Sequence, residues 1–112
     1  MGAEGERLAA EHLARLGHEL LDRNWRCREG ELDLVTRDGR WIVCTEVKTR
    51  AATRAGDPLE AIDARKLARL RRLAGLWRQA HPEAVGALRL DAVSVLLGPG
   101  RPRLRHVEGI GA

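Results

Sequence analysis

The sequence has no phenylalanine and no tyrosine, and only three tryptophans, so its core must be built largely from Leu, Val, Ile and Ala. Its two cysteines, Cys27 and Cys44, form neither a disulfide framework nor a C-x-x-C metal pair, and both read as small buried residues. No apolar run approaches the ~20 residues of a membrane-spanning helix. The first residues carry Glu4 and Glu6 where a secretory leader would be apolar, so a cytoplasmic protein with no membrane partner is expected. Lysine is also scarce. Of 20 basic side chains, all but Lys48 and Lys66 are arginine. Arg and Lys are not interchangeable, so a retained lysine marks a place where a compact ammonium group is needed.

What is present suits one domain of 112 residues, 44% hydrophobic, able to bury about two-thirds of its unfolded surface. The net charge of +4 and pI of about 10.0 suit a polyanionic partner. An Arg-for-Lys bias in a chain rich in Ala and Gly would produce the same balance.

Residues 3–16 have helical periodicity, with Leu8, Ala9, Leu13 and Leu16 on the apolar face and Gly17 as terminator. Glu4, Arg7, Glu11 and Arg15 lie opposite, whereas Glu6 falls beside the apolar stripe. Strands are expected over 18–28, 31–37 and 40–48, the last two joined by an Asp38-Gly39 hairpin turn. A polar loop over 49–56 leads to Asp57-Pro58-Leu59-Glu60, which has the form of a capping box. The helix it opens should run to about Ala80. Strands over 87–97 and 103–108 complete the order α-β-β-β-α-β-β. The long helix then crosses between parallel strands, giving an α/β fold with a mixed β-sheet flanked by helices.

A two-residue Asp38-Gly39 loop pairs Val35 with Ile42, Asp33 with Cys44 and Glu31 with Glu46. Period-two alternation puts Glu31, Asp33, Glu46 and Lys48 on one face, and Leu32, Leu34, Trp41, Val43, Thr45 and Val47 on the other. Asp33 and Glu46 become diagonal neighbours, roughly 7–8 Å apart at the backbone. Clustered acids on a half-buried face repel and lose hydration, and a divalent cation removes both costs. Oxygen donors select Mg2+ or Mn2+ over zinc. An ammonium two residues beyond Glu46 can hold water or stabilise charge developing on a phosphoryl group. The same spacing also describes acids on a solvated sheet face.

Gly30-Glu31-Leu32-Asp33-Leu34-Val35 and Thr45-Glu46-Val47-Lys48-Thr49-Arg50 together resemble the signature of the bacterial YraN-like family. That family is similar to PD-(D/E)xK nucleases, near archaeal Holliday junction resolvases. The similarity extends to Gly2-x-x-Gly5-Glu6-x-x-Ala9, Asn24, Lys66 and Arg89-Leu90-Asp91. It implies a restriction-endonuclease-like fold, Asp33 and Glu46 as metal ligands and Lys48 as catalytic lysine. It further implies Glu6 as a third ligand, set against a plain first-turn acid facing the helix dipole. Departures are Leu32 in the place of the superfamily's proline, Cys44-Thr45 before Glu46, and the Gly109-Ile110-Gly111-Ala112 tail. The substrate implied is DNA or branched nucleic acid, and the resolvase relatives suggest a homodimer.

Arg50 and Arg54, just past Lys48, are candidate nucleic-acid contacts. Lys66, Arg65 and Arg69 on the long helix are others, against the alternatives of a snorkelling lysine and a solvated arginine stripe. Ile62, Lys66, Leu70, Leu73 and Trp77 share one arc of that helix. His12, His18, His81 and His106 show no ligand spacing, and His12 reads as structural. Trp25, Trp41 and Trp77 read as core, and Asp91 as the partner of Arg89. Two functions therefore stand side by side: a metal-dependent endonuclease, and a catalytically silent nucleic-acid-binding module of the same fold. A basic protein-interaction domain using the Arg-rich helix is a third.

Overall fold

The structure is a computed structural model that describes residues 2–51 and 62–111. Its elements are α1 (Gly2–Arg15), β1 (Glu19–Cys27), β2 (Gly30–Asp38), β3 (Trp41–Ala51), α2 (Ala64–Ala80), β4 (Ala87–Leu97) and β5 (Arg103–Val107). The strands form one mixed sheet in the order β1-β2-β3-β4-β5. Only β3 and β4 run parallel, joined through α2, and the other pairs are antiparallel. The α/β architecture and element order agree with the hydrophobic periodicity of the sequence.

Strand alternation sends two apolar sets to opposite sides. Val35, Ile42, Cys44 and Leu90 pack under α2 against Leu70, Leu73, Ala74 and Trp77. Leu34, Val93 and Val95 pack under α1 against Ala9 and Leu13. Most are branched aliphatics, which suit a pleated, buried surface. Trp77 is fully buried, and its indole N–H donates to Asp22 Oδ2 at 2.9 Å, so its one polar atom costs little. Trp25 packs on the same cluster half-buried. Cys27 is also only half-buried, unlike Cys44.

Several boundaries differ from the expected ones. Leu16 lies beyond the end of α1 and is 52% exposed, so it does not join the helix's apolar face. The loop expected from residue 49 is instead strand, because β3 stays paired with β4 through Arg50↔Leu96 and Ala51↔Leu97. The Asp57-Pro58 capping box and Arg54 lie outside the described residues. The helix that reaches Ala80 starts at Ala64, because extended Asp63 is its N-cap and accepts the Lys66 N–H at 2.9 Å.

Helix α1 crosses the sheet very closely at one point. A Cβ on Gly5 would stand 1.8 Å from Thr49 Oγ1, so only glycine lets the first turn of α1 rest on the end of β3. Gly75 in α2 has no such neighbour. Gly5→Ala is therefore expected to lower stability by about 1–3 kcal/mol through overpacking, whereas Gly75→Ala should raise it by about 0.5–1 kcal/mol. Urea unfolding of the two variants checks both signs.

Candidate metal and phosphate site

The hairpin that carries the chemistry is offset from its expected register. The closing pair is Asp38↔Trp41, followed by Arg37↔Ile42, Thr36↔Val43, Val35↔Cys44 and Leu34↔Thr45. The loop residues are thus Gly39 and Arg40, not Asp38 and Gly39. Gly39 has φ +59°, the left-handed value demanded at the first position of a tight hairpin loop. Asp38 is held in the strand, where its carboxylate accepts from Arg89 at 3.2 Å. The slip of two positions preserves which residues share a face. It nevertheless changes who meets whom: one step beyond Leu34↔Thr45, Asp33 comes level with Glu46 rather than Cys44.

The ladder stops at that step. The Val47 N–H donates to Asp33 Oδ2 at 2.8 Å, so a side chain takes a backbone donor beyond the last strand pair. Asn24 lies beside this break, between the β1–β2 pairs Arg23↔Leu34 and Trp25↔Leu32, and has φ +49°. Asparagine tolerates this left-handed backbone better than most residues. Side-chain alternation fails here. Leu32 packs in the α2 cluster although Leu34 belongs to the α1 cluster, so the two do not share the expected face.

Asp33 is turned toward the first helix. Carboxylate oxygens of Glu6, Glu31 and Asp33 lie within 4.8 Å of one another, all three residues half-buried. Asn24 Nδ2 donates to Glu6 Oε1 at 2.8 Å and holds that side chain in place. Glu6 thus faces the hairpin acids rather than only the helix terminus. Glu31, not anticipated as a ligand, joins the group while also accepting from Arg26 Nε at 2.6 Å. Glu46 is outside the triplet but touches Asp33. Burial, the hydrogen bond with Glu46, and the charges of Glu46 and Glu31 push Asp33 up to about 7, against the opposing pull of the Val47 N–H. Desolvation and like charge therefore both disfavour full ionisation of this acid group. Hard oxygen donors at this spacing suit Mg2+ or Mn2+.

Glu46, Glu31, Lys48, Lys66 and Arg69 line one cavity of about 220 Å³ with Leu70 and Leu73. Lys48 lies beside Lys66, and its proximity, together with burial, lowers the Lys66 pKa. Among the remaining candidates, Arg50 is exposed on β3 rather than in a loop, and exposed Arg65 does not line the cavity. Arg72 is paired with Glu29 at 2.9 Å.

Three of the four histidines, His12, His18 and His106, gather around a second polar centre, whereas His81 stacks on Trp77. Fully buried Asp91 accepts two hydrogen bonds from Arg89, at 2.9 and 3.0 Å, and one from the Gly109 N–H at 3.1 Å. His106 Nε2 lies 2.8 Å from its other oxygen, and His12 Nε2 lies 3.3 Å from His106 Nδ1. Burial alone would raise Asp91, but these donors outweigh it and hold the carboxyl below its ordinary range. Asp91 is thus the buried partner of Arg89, as expected, and His12 is tied into the same network.

The fold and site together define an α/β protein whose mixed sheet presents acids and lysines on one hairpin and the two helices. The sequence profile of the uncharacterised protein family UPF0102 matches residues 5–95, and the chain belongs to that family. A UPF0102 protein of Frankia casuarinae is 52% identical over 110 residues, covering 97% of this chain and 93% of its own length. One from Renibacterium salmoninarum is 49% identical over 112 residues, covering 99% and 95%. One from Clavibacter michiganensis is 54% identical over 96 residues, covering 86% and 81%.

Three measurements probe this geometry. A raised folded-state pKa makes protonated Asp33 favourable, so its contribution to stability is complete below 3.8 and lost as pH rises through about 7. Asp33→Asn cannot ionise, so its stability relative to the wild type should improve steadily across that window in metal-free buffer. Above pH 7, Mn2+ should raise the Tm of the wild type and not of the variant. For Asn24, glycine keeps the left-handed backbone and loses only the Glu6 bond. Asn24→Ala should be less stable than Asn24→Gly by about 1–2 kcal/mol in urea titrations.

Proposed function

We propose that the chain is a divalent-metal-dependent nuclease that hydrolyses phosphodiester bonds in DNA or branched nucleic acid. The observation that carries this reading is the convergence of Glu6, Glu31 and Asp33 within 4.8 Å, with Asp33 against Glu46 and Lys48 in the cavity that Glu46 lines. The resemblance of the two hairpin motifs to PD-(D/E)xK nucleases supports the same chemistry. So does the net charge of +4.

In this reading Glu6, Glu31 and Asp33 would hold a divalent cation, with Glu46 alongside. A bound Mg2+ or Mn2+ supplies positive charge to a phosphoryl oxygen and lowers the pKa of water. Asn24 fixes the Glu6 carboxylate through its 2.8 Å hydrogen bond, and the Val47 N–H fixes that of Asp33. Lys48 would donate to the phosphoryl oxygen that gains charge as the water oxygen bonds to phosphorus and the ester P–O bond breaks, the departing oxygen taking up the proton that the water loses. The β3–β4 pair Lys48↔Ser94 fixes the backbone that carries its side chain. Preorganised donors of this kind act without reorganisation at the moment of reaction.

Duplex, nicked, flapped and four-way DNA substrates incubated with the protein and Mn2+ test the proposal. Cleavage of at least one is expected, with Asp33→Asn, Glu46→Gln and Lys48→Ala each slowing it by roughly 100-fold or more. Cleavage unchanged in all three variants identifies a contaminant and overturns the reading. Salt-sensitive DNA binding without cleavage or Mn2+ binding would leave a silent binding module in its place.

A further inference from the structure

The chain's only two lysines come from different elements, Lys48 on β3 and Lys66 on α2, yet they line the same cavity. Ammonium groups repel, and nothing in sheet or helix propensity requires the pair to meet. An arginine-rich chain has a ready substitute at both positions. Arg69 adds a third positive charge to the lining, and the acids there are Glu31 and Glu46. Glu31 already accepts from Arg26 and belongs to the acid group with Glu6 and Asp33. Glu46 touches Asp33. Both acids thus have partners of their own, and Lys48, Lys66 and Arg69 face one small space.

We propose that Lys48 and Lys66, with Arg69 beside them, form a single phosphate subsite in which one phosphodiester group bridges the two ammoniums. This rests on the nuclease reading for its substrate and adds Lys66 as the residue that positions the phosphate from the helix side. A tetrahedral anion with several accepting oxygens can satisfy two point-like ammoniums and a planar guanidinium at once. The cavity, about 220 Å³, has room for a phosphoryl group with some water, given about 30 Å³ for each water in the liquid. The bridging anion also removes the repulsion between the lysines, so occupancy and the geometry of the pair reinforce one another. Lys66 projects from the first turn of α2, where the helix N-terminus further favours an anion.

The rarity of lysine makes the subsite directly observable. In full-length protein labelled with 13C-lysine, only two side-chain signals arise, one from each residue. Inorganic phosphate, then the dinucleotide dTpdT, is titrated in EDTA with the ionic strength held constant. Both signals are expected to move together along one saturation curve. Lys66→Met should weaken binding of both probes at least tenfold while leaving the Tm and Mn2+ affinity unchanged. Arg101→Met, remote on an exposed turn, should match the wild type. Signals that do not move, movement of Lys48 alone, or wild-type affinity in Lys66→Met overturns the subsite.

The parent reading fails separately. If the wild type captures both probes at the two lysines but cuts no DNA, the subsite stands and the nuclease falls. If Mn2+-dependent, Asp33-dependent cleavage proceeds in Lys66→Met with unchanged KM and kcat, the subsite falls and the nuclease stands.

Discussion

The hydrogen bond from the Val47 N–H to the Asp33 carboxylate organises this molecule's chemistry. It occupies a backbone donor just where the β2–β3 ladder ends, so the strands separate beyond Leu34↔Thr45 without leaving a buried amide unpaired. That separation frees Asp33 from the alternation of its strand. Left-handed Asn24 on β1 accommodates the same break and spends its side chain on Glu6. An irregularity in two neighbouring strands is thereby converted into the meeting of a helix acid with two hairpin acids. Local departures from ideal sheet geometry commonly accompany functional sites for this reason.

The sheet holds two polar centres with opposite electrostatic logic. Around Asp91 every formal charge is answered. Arg89 grips both oxygens, His106 and the Gly109 N–H complete the shell, and the carboxyl is held low. Such a centre is satisfied in isolation and acts as structure. Around Asp33 the acids face one another and the carboxyl is driven up, while the adjoining cavity brings both lysines together with Glu31 and Glu46. A cation on the acid side and an anion on the lysine side would remove both repulsions at once.

Much of this was legible in the residues themselves. The apolar stripe of α1, the paired strands around Gly39, the crossover helix and the β4 run follow from period and turn chemistry alone. The acid and lysine set of the hairpin, and the displacement of Glu6 from its charged neighbours on α1, were legible in the same way. The hairpin register was not, because Asp38-Gly39 and Gly39-Arg40 are both plausible two-residue loops. The choice between them rests on Arg89, which binds Asp38 from a strand 51 residues later in the chain. Nor was the opposite placement of Leu32 and Leu34, since strict alternation assumes an unbroken strand. Glu31 was visible among the clustered acids of the hairpin face but not as a neighbour of Glu6, because Glu6 arrives from another element.

By itself, then, the sequence determined the kinds of elements, their order, and the residue types that can bind a cation or a phosphate. Those properties depend on local periodicity and on side-chain chemistry, both of which are short-range. Tertiary structure alone decided the hairpin register, the break at Asp33 and Asn24, the close seat of α1 that Gly5 permits, and the meeting of Lys48 with Lys66. Each of these is a contact between segments distant in the chain, and its geometry exists only once the sheet and both helices have packed.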